Sequence, residues 1–168
     1  MYRKALAHLL LPALLAGLSA CGFHLRGDVE LPPVLQDTCI ESRDPYTGIA
    51  RPLRNQLERS GVTVLETPEQ ASAVLKIVSE RSENRVLSVG SSGKATEYEL
   101  FNEVVFSLRD AAGKVLLKPQ TVRMTRDLVF DETELLGKLS EADSIHREML
   151  DSIARQILTR IQVGMQQQ

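Results

Sequence analysis

The alternation of apolar and polar residues in the middle of the chain predicts three long β-strands. Over 95–109 the apolar side chains fall on one face of a strand and the charged ones on the other; 73–89 alternates more loosely, and 115–130 runs back as a third strand. Gly90–Gly93 and Asp110–Gly113 supply glycines for the two turns. One face of the sheet should be buried and the other wet. In the middle strand the apolar face holds Tyr98, Leu100, Val104, Phe106 and Leu108, and the wet face holds Glu97, Glu99, Glu103, Ser107 and Arg109.

Two other segments carry apolar residues at helical spacing. Ile49, Leu53 and Leu57 recur every four residues, which predicts a short helix that ends at Gly61. After a predicted loop around 131–137, apolar residues again step by four, which predicts a long amphipathic helix. Its apolar stripe is formed by Ile145, Met149, Ile153, Ile157 and Ile161.

The order of these elements predicts the α+β class. Short strands are expected at 38–43 and 62–65, on either side of the first helix, and Pro119 predicts a bulge or a sheet edge in the third long strand. A strand, a helix, a strand, three antiparallel strands and a helix favour a two-layer sandwich, with both helices on one face of a mostly antiparallel sheet. The other face of the sheet is left free to meet a partner.

Residues 1–20 have the pattern of a secretion signal. Arg3 and Lys4 precede a leucine- and alanine-rich run that is too short to cross a bilayer, and small residues then precede Cys21. This arrangement resembles the lipobox of bacterial lipoproteins, so Cys21 is the predicted site of an S-diacylglycerol group and an N-acyl chain. Three acyl chains would anchor the protein to a membrane almost permanently. Gly22, in place of aspartate, predicts delivery to the outer membrane.

The remaining chain is expected to form a single domain. We interpret 21–37, which include Pro32 and Pro33, as a lipidated N-terminus and extended tether. Residues 38–165 are predicted to form the domain, and 166–168 a frayed tail. The 168 residues carry a formal net charge of −2 at pH 7, which makes nucleic acid an improbable partner.

The sequence offers no recognisable catalytic or metal-binding constellation. The three histidines have no second ligand at metal-binding spacing, and no glycine-rich phosphate loop, nucleophile elbow or paired-cysteine motif is present. Cys39 is expected to be a small buried strand residue. Glu97, Glu99 and Glu103 alternate on a wet strand face, which favours solvated surface over acid–base catalysis. We therefore predict a protein that is not an enzyme and needs no cofactor or metal.

Several basic residues fall on the long strands, at the hairpin tip or in the loop before the last helix. If they cluster in the fold, they would suit a phosphorylated ligand through charge-assisted hydrogen bonds. The alternative is that they are scattered surface charges. The residues are Arg81, Arg85, Lys94, Arg123, Arg126 and, in the predicted loop, Lys138.

Four stretches of the sequence together resemble the LptE family of LPS-assembly lipoproteins. They are Cys21 to Arg26 (CGFHLR), 54–62, the hairpin tip at 93–98 and 148–158 in the last helix, in the same order and spread over nearly the whole mature chain. The resemblance implies two helices on a four-stranded mixed sheet. It also implies an outer-membrane lipoprotein that faces the periplasm, plugs and helps assemble the LptD β-barrel from within its lumen, and binds lipopolysaccharide during insertion into the outer leaflet.

The resemblance also bears on the ligand-binding residues. By position, Lys138 matches a basic residue that is implicated in lipopolysaccharide binding in the family. Ser91 stands where relatives carry a basic residue, so Lys94 or Arg85 would have to compensate at the tip. The alternative function is that of an accessory lipoprotein in another envelope lipid-transport or outer-membrane assembly complex, which would share the anchor and the fold class.

Overall fold

The structure is a computed structural model that describes residues 31–129 and 135–167. Short 3-10 turns lie at Pro33–Leu35 and Pro68–Gln70. Cys21, the predicted signal and most of the predicted tether lie outside the described residues. The strands are β1 (Asp37–Glu41), β2 (Thr63–Leu65), β3 (Ala73–Val89), β4 (Ala95–Asp110) and β5 (Val115–Val129), and the helices are α1 (Ala50–Arg59) and α2 (Leu135–Gln166).

The five strands form one mixed sheet in the order β2-β1-β3-β4-β5. β1 pairs in parallel with β2 and β3, whereas β3, β4 and β5 pair antiparallel. Parallel neighbours need a crossover connection, and α1 supplies it between β1 and β2. The predicted α+β class is confirmed. The resemblance implied four strands, one too few; the fifth is the short edge strand Thr63–Leu65, which the residue pattern had predicted at 62–65.

Both helices pack on the same face of the sheet, as predicted. Leu53 and Leu57 of α1 and Ile153 and Ile157 of α2 are buried in one core together with Phe106 of β4. Further along the strands, a smaller cluster joins an earlier part of α2 to β4 and β5. It consists of Leu100, Leu128, Ala142 and Met149.

The end of α2 lies tightly against β5. A Cβ atom at Gly164 would lie 2.8 Å from Leu117 Cδ2, so the glycine allows a close approach of the helix backbone to the strand. Arg160 Nη1 donates a hydrogen bond to Thr121 O at 2.7 Å. The C-terminal part of the helix is therefore fixed to the sheet by packing and by a side-chain contact.

The strand alternation is regular in β4 and interrupted in β3. Leu100, Val104, Phe106 and Leu108 face the helices and are at most 1% exposed, as predicted. In β3 the pairing passes from Ile77 opposite Phe106 to Ser79 opposite Val105, so Val78 forms a bulge. Before the bulge the odd-numbered residues face the helices, and after it the even-numbered residues do. This change of face explains why the sequence alternates only loosely over 73–89.

The start of α1 is held by a carboxylate from β3. The backbone N–H of Ile49 donates to Glu80 Oε1 at 3.0 Å, and thus satisfies one of the groups that a helix start leaves unpaired. A Cβ atom at Gly48, whose φ is +54°, would lie 2.6 Å from the same oxygen. Burial raises the pKa of Glu80, although the hydrogen bond from Ile49 opposes this effect.

The predicted turns are confirmed. Gly61 follows α1, and Gly93 and Gly113 complete the two hairpin loops; all three have positive φ, between +77° and +85°. Such angles are strained for residues that carry a Cβ. Pro119 lies in β5, the edge strand, beside a register shift opposite 106–108, so it marks both a bulge and an edge.

The folded body begins earlier than predicted. Leu35 is fully buried, and its carbonyl accepts a hydrogen bond from Thr38 Oγ1 at 2.7 Å. The last residues of the predicted tether therefore belong to the domain. Their prolines suggested an extended chain, but they form a 3-10 turn that packs on the core.

The last helix also begins earlier than predicted, at Leu135. The backbone of Lys138 therefore lies in the helix and not in a preceding loop. The helix thus includes Gly137, and one glycine costs a helix only about 1 kcal/mol, which a helix of 32 residues tolerates. At its other end the helix includes Gln166, which was expected to belong to a frayed tail.

One polar side chain is buried between the two core clusters. Asn102 is 1% exposed, and neither atom of its amide group has a hydrogen-bond partner among the described residues. It faces the helices, opposite Ser82 and Met124 on the neighbouring strands. A buried polar group without partners costs about 1–3 kcal/mol.

We predict that Asn102→Val raises the free energy of unfolding by about 1 kcal/mol, because valine removes the unpaired amide and suits a strand. Denaturation in urea measures the change. The matched variant Asn102→Asp should lower stability, since it buries an unpaired charge of similar size. A loss of stability in Asn102→Val would contradict the interpretation that the amide is unsatisfied.

Candidate functional site

The three long strands continue well beyond the two short ones. β1 pairs with β3 only as far as Lys76, and the sheet beyond is three-stranded. We call 79–89, 95–105 and 121–129 the distal half. β3 has 17 residues and spans about 50 Å at roughly 3.3 Å per residue. The distal half ends at the hairpin turn, whereas the described chain begins at the other end, where Ser72 Oγ donates to Val34 O.

The face of the distal half that points away from the helices is charged. Residues that are paired across antiparallel strands point to the same face, so the register assigns its members directly. We call this surface the distal open face. Its cross-strand rows are Ser79, Val105 and Thr121; Arg81, Glu103 and Arg123; Glu83, Phe101 and Thr125; Arg85, Glu99 and Asp127; and Ser88, Glu97 and Val129.

The arginines of the distal open face contact carboxylates of the same face. Arg85 donates to Glu83 and to Glu99, each at 3.2 Å. Arg81 also donates to Glu83, and Arg123 donates to Glu103. The hydrogen bond from Arg81 is the main cause that lowers the pKa of Glu83. Exposed ion pairs contribute little to stability, and their main effect here is to compensate charge on the surface.

Phe101 lies in the middle of this charged face and is nevertheless only 8% exposed. The guanidinium carbon of Arg85 lies 3.9 Å from the centroid of its ring, a cation–π contact. The ring is thus covered by charged neighbours instead of being open to water. The centre of the distal open face is therefore polar at its surface despite the aromatic residue, whereas Val129, near the hairpin, is 67% exposed.

The pattern of compensated charge continues toward the other end of the sheet. Glu41 of β1 accepts hydrogen bonds from Lys76 Nζ at 2.6 Å and from Arg109 Nη2 at 3.1 Å. The bond from Lys76, followed by that from Arg109, lowers the pKa of Glu41. The polar face thus extends along most of the length of the strands.

On the opposite face, a histidine connects α2 to the distal half of β3. His146 Nε2 lies 2.8 Å from Asn84 Oδ1, and Nδ1 lies 3.3 Å from Ser82 Oγ. A neutral ring satisfies both contacts, with Nε2–H donating to Asn84 and Nδ1 accepting from the Ser82 hydroxyl. Burial lowers the pKa of His146, and the charge of Asp143 opposes this effect.

A groove of about 280 Å³ runs between α2 and β5 on the same face as His146. Among its charged residues, Arg126 makes no ion pair or hydrogen bond with the rest of the described chain, and Arg155 donates to Ser152 Oγ at 2.8 Å. The residues that line the groove are Met124, Arg126, Ile145, Glu148, Met149, Asp151, Ser152 and Arg155.

The structure does not gather the predicted basic residues into one cluster. Arg85 and Arg123 lie on the distal open face, on either side of β4, whereas Arg126 lies on the helix-facing side. Lys94 lies at the hairpin tip and Lys138 in α2. Arg81 joins Arg85 at Glu83. The role of these residues toward a phosphorylated ligand stays a prediction.

Sequence reasoning missed the contacts that give the surface its character. It assigned Glu99 and Glu103 to a wet face. It did not identify their arginine partners, because these lie on neighbouring strands and the sequence does not give the register between strands. It gave His146 no role, although Ser82 and Asn84 hold it. One signal could have indicated such a pair: Glu103 lies on the middle strand of an antiparallel sheet, and both neighbouring strands carry arginines.

No group of three histidine, cysteine, aspartate or glutamate side chains is placed to hold a metal ion within 31–129 and 135–167. The helices in those ranges include none that has the length and apolar character needed to cross a membrane.

Comparison with known proteins gives a consistent result. The family described as "LptE: Lipopolysaccharide-assembly" matches residues 35–161. The LPS-assembly lipoprotein LptE of Photorhabdus laumondii is 34% identical over 143 residues, which cover 85% of this chain and 78% of that protein. The protein of the same name from Yersinia enterocolitica is 30% identical over 86% of this chain and 70% of its own length.

Solved structures of lipoproteins share the fold. Lipoprotein B from Nitrosomonas europaea has a TM-score of 0.68 and 30% identity, and the match covers 84% of this chain and 90% of that one. The rare lipoprotein B from Shewanella oneidensis has a TM-score of 0.63 and 25% identity, with 74% of this chain and 92% of that one covered.

We predict that His146→Gln changes the dependence of stability on pH. Because the folded pKa lies below the usual 6.5, the unfolded chain binds the proton first, and stability is lost as pH falls from about 6.5 through the folded pKa. Glutamine can make both contacts but does not titrate. Urea denaturation at several pH values should therefore show a smaller loss of stability on acidification in the variant.

The control for this prediction is Arg147→Gln, which removes a neighbouring charge and leaves the histidine in place. Its pH profile should fall like that of the wild type. Parallel profiles for wild type and His146→Gln would show that the histidine does not cause the acid loss.

Proposed function

The chain belongs to the LptE family of lipopolysaccharide-assembly proteins, and we propose that it plugs and helps assemble the LptD β-barrel and binds lipopolysaccharide during insertion into the outer leaflet. The family is one of assembly lipoproteins and not a class of enzymes. In this proposal the protein is held at the outer membrane by lipid on Cys21, faces the periplasm and enters the barrel lumen.

The observation that carries the proposal is the distal open face. The lumen of a large outer-membrane barrel is polar, so a body that fills it needs a polar surface. Burying an unpaired charge would be costly, but each arginine of the distal open face already contacts a carboxylate. The arginines of this surface can therefore meet a wet wall with their charges already compensated.

The dimensions of the sheet fit the same role. The length of β3, about 50 Å, exceeds the roughly 30 Å of a bilayer's hydrocarbon core. The described chain begins at the end opposite the hairpin turn Gly90–Gly93. A lipid on Cys21 would thus hold one end of the body at the periplasmic side while the hairpin reaches along the lumen.

Lipopolysaccharide carries phosphates, which lysine and arginine bind through charge-assisted hydrogen bonds. The candidate basic residues differ in whether their side chains are already occupied by a carboxylate. Arg85 and Arg123 already donate to carboxylates, so a phosphate would compete with these, whereas Arg126 has no such partner among the described residues. Lys138 and Lys94, in α2 and at the hairpin tip, complete the proposed set.

We predict that the chain co-purifies with LptD when both are expressed together, and that Glu99→Lys with Glu103→Lys reduces the recovered complex at least several-fold. The two changes leave Arg123 without its carboxylate and Arg85 with Glu83 alone, and they make the distal open face strongly positive. The measurement is the ratio of the two proteins after affinity purification of the barrel.

The matched control is Glu58→Lys with Glu69→Lys, which makes the same change in net charge at exposed positions outside the distal half. This control should keep the complex. Failure of the wild-type chain to associate would refute the plug, and capture of a different envelope complex would favour the accessory-lipoprotein alternative.

We predict that Lys138→Glu weakens lipopolysaccharide binding by about tenfold without unfolding the chain, since a charge-assisted hydrogen bond to phosphate contributes about 1.5–3 kcal/mol. Binding of labelled lipopolysaccharide to the detergent-solubilised protein measures the effect. Lys118→Glu, on exposed β5 away from the distal half, serves as the control and should bind normally. If Lys138→Glu binds lipopolysaccharide as tightly as Lys118→Glu and the wild type, Lys138 does not belong to the binding site.

A further inference from the structure

We propose that the groove between α2 and β5 leads to a binding site for a single lipid chain. In this site the Asn102 amide binds a hydroxyl or amide group on the chain, and Arg126 binds the anionic head from which the chain extends. The inference rests on the proposed binding of lipopolysaccharide, which is a lipid, and adds to it the place where one chain of such a lipid enters the fold.

The Asn102 amide needs a partner that the described chain does not supply. Its nitrogen and its oxygen are both buried without a hydrogen bond, on a residue that is 1% exposed. The side chain opposite it on β3 is Ser82, whose hydroxyl contacts His146 Nδ1 and not the amide. Buried polar groups in proteins are nearly always paired, so this amide points to a partner from outside the chain. Positions at which a folding rule is broken are commonly functional.

Met124 separates the amide from the groove. It lies opposite Asn102 on β5, lines the groove and packs against both core clusters. A methionine side chain is unbranched and flexible, so it can change rotamer at low cost. The groove alone has a volume of about 280 Å³, close to the lower end of the roughly 300–1,000 Å³ that small-molecule sites occupy. Movement of this one side chain would join the groove to the unpaired amide.

The residues around the amide suit an apolar chain. Leu100 and Leu128 of the sheet and Met149 of α2 belong to the smaller core cluster, and Met124 and Ile145 pack against it. Among the helices this cluster draws on α2 alone, whereas both helices contribute to the main core. Fewer contacts therefore oppose the entry of a chain here, and its methylene groups would be removed from water among these side chains.

The chemistry of the amide selects the group that binds it. Asn102 Nδ2 donates hydrogen bonds and Oδ1 accepts them, so a group that satisfies both must accept and donate at once. A hydroxyl can do both, and a secondary amide can do so with its C=O and N–H. A carboxylate or an ester only accepts, and a methylene group does neither. The bound chain therefore carries a hydroxyl or an amide at the depth of Asn102.

Arg126 is placed to hold the head of the same chain. It follows Met124 by two residues on the same face of β5, so its Cα lies diagonally across from that of Asn102 at about 7–8 Å. Its exposed guanidinium can bind a carboxylate or phosphate through two parallel hydrogen bonds. Glu148 and Asp151 line the same groove and disfavour a second anionic group there. Because the two binding residues are diagonal neighbours, only a few bonds separate the head from the polar group on the chain.

Two isomeric probes test this arrangement in the full-length, detergent-solubilised protein. β-Hydroxytetradecanoate carries its hydroxyl close to the carboxylate, whereas ω-hydroxytetradecanoate carries it at the far end of a chain of equal length and charge. The wild type should bind the β isomer about tenfold more tightly, because only its hydroxyl reaches the amide. The measurement is competition against radiolabelled β-hydroxytetradecanoate. Equal affinity for the two isomers, or binding of neither, would overturn the proposal.

Three variants assign the preference to the amide. Asn102→Val should abolish the preference for the β isomer, although we expect this variant to be more stable than the wild type. Arg126→Gln should weaken the binding of both isomers several-fold and keep the preference. Ser82→Ala, the matched control, removes the neighbouring hydroxyl and should bind like the wild type. A preference that persists in Asn102→Val would show that the amide does not bind the probe and that water is its partner.

Methionine methyl groups locate the bound chain independently of these variants. In protein labelled with ¹³C at the methionine methyl groups, β-hydroxytetradecanoate should shift the NMR signals of Met124 and Met149. The signal of Met165, which packs against the main core near the end of α2, should stay in place. A shift confined to Met165, or no shift at all, contradicts the assigned site.

Binding of labelled lipopolysaccharide in the same preparation separates this inference from the proposed function. If the wild type and Asn102→Val bind lipopolysaccharide equally tightly, the lipid-chain site is refuted and the proposed function stands. If the wild type binds no lipopolysaccharide, the proposed function itself fails. Weaker binding of lipopolysaccharide by Asn102→Val, together with the loss of isomer preference, supports both.

Discussion

The structure depends on the pairing of β4 with a neighbour on each side. Every backbone register in the distal half is fixed through this central strand, and with it the face to which each side chain points. Leu100, Val104 and Phe106 are thereby committed to the helices, and Glu99 and Glu103 to the opposite face. A shift by one residue would exchange the two sets, burying charge and exposing the core. Burial of the apolar side chains offsets the conformational entropy that is lost when a long sheet forms. The charged face results from the same alternation, because every second side chain points the other way.

Much of this architecture could be predicted from sequence because it rests on local periodicity. The alternation in β4, the four-residue step of the helices and the glycines of the turns each report a local backbone preference. The start of α2 was placed too late because the four-residue step of apolar residues used to predict the helix begins only at Ile145, whereas the helix begins at Leu135. Leu35 was assigned to a tether because one apolar residue between prolines and a strand has no periodicity that would reveal its burial.

The contacts of the candidate site were harder to predict because they join residues that are distant in sequence. Arg85 and Glu99 are brought together by a hairpin, but Glu41 and Arg109 meet only after β1 has been placed beside β3. The bulge at Val78 adds a second difficulty, since it reverses the faces of the strand within one residue. Membership of a lipopolysaccharide-assembly family gives these surface contacts a context, because a surface whose charges are compensated can contact another molecule at a lower desolvation cost.

The close approach of Gly164 to Leu117 has a mechanical consequence. It clamps the last turns of a 32-residue helix to one end of the sheet, where the main core also lies. Toward its first turns the helix rests on a small cluster and on the two hydrogen bonds of His146. Because the tightest contact lies at one end, a larger side chain at Gly164 would push against Leu117 and tilt the helix about its contacts with β4 and β5.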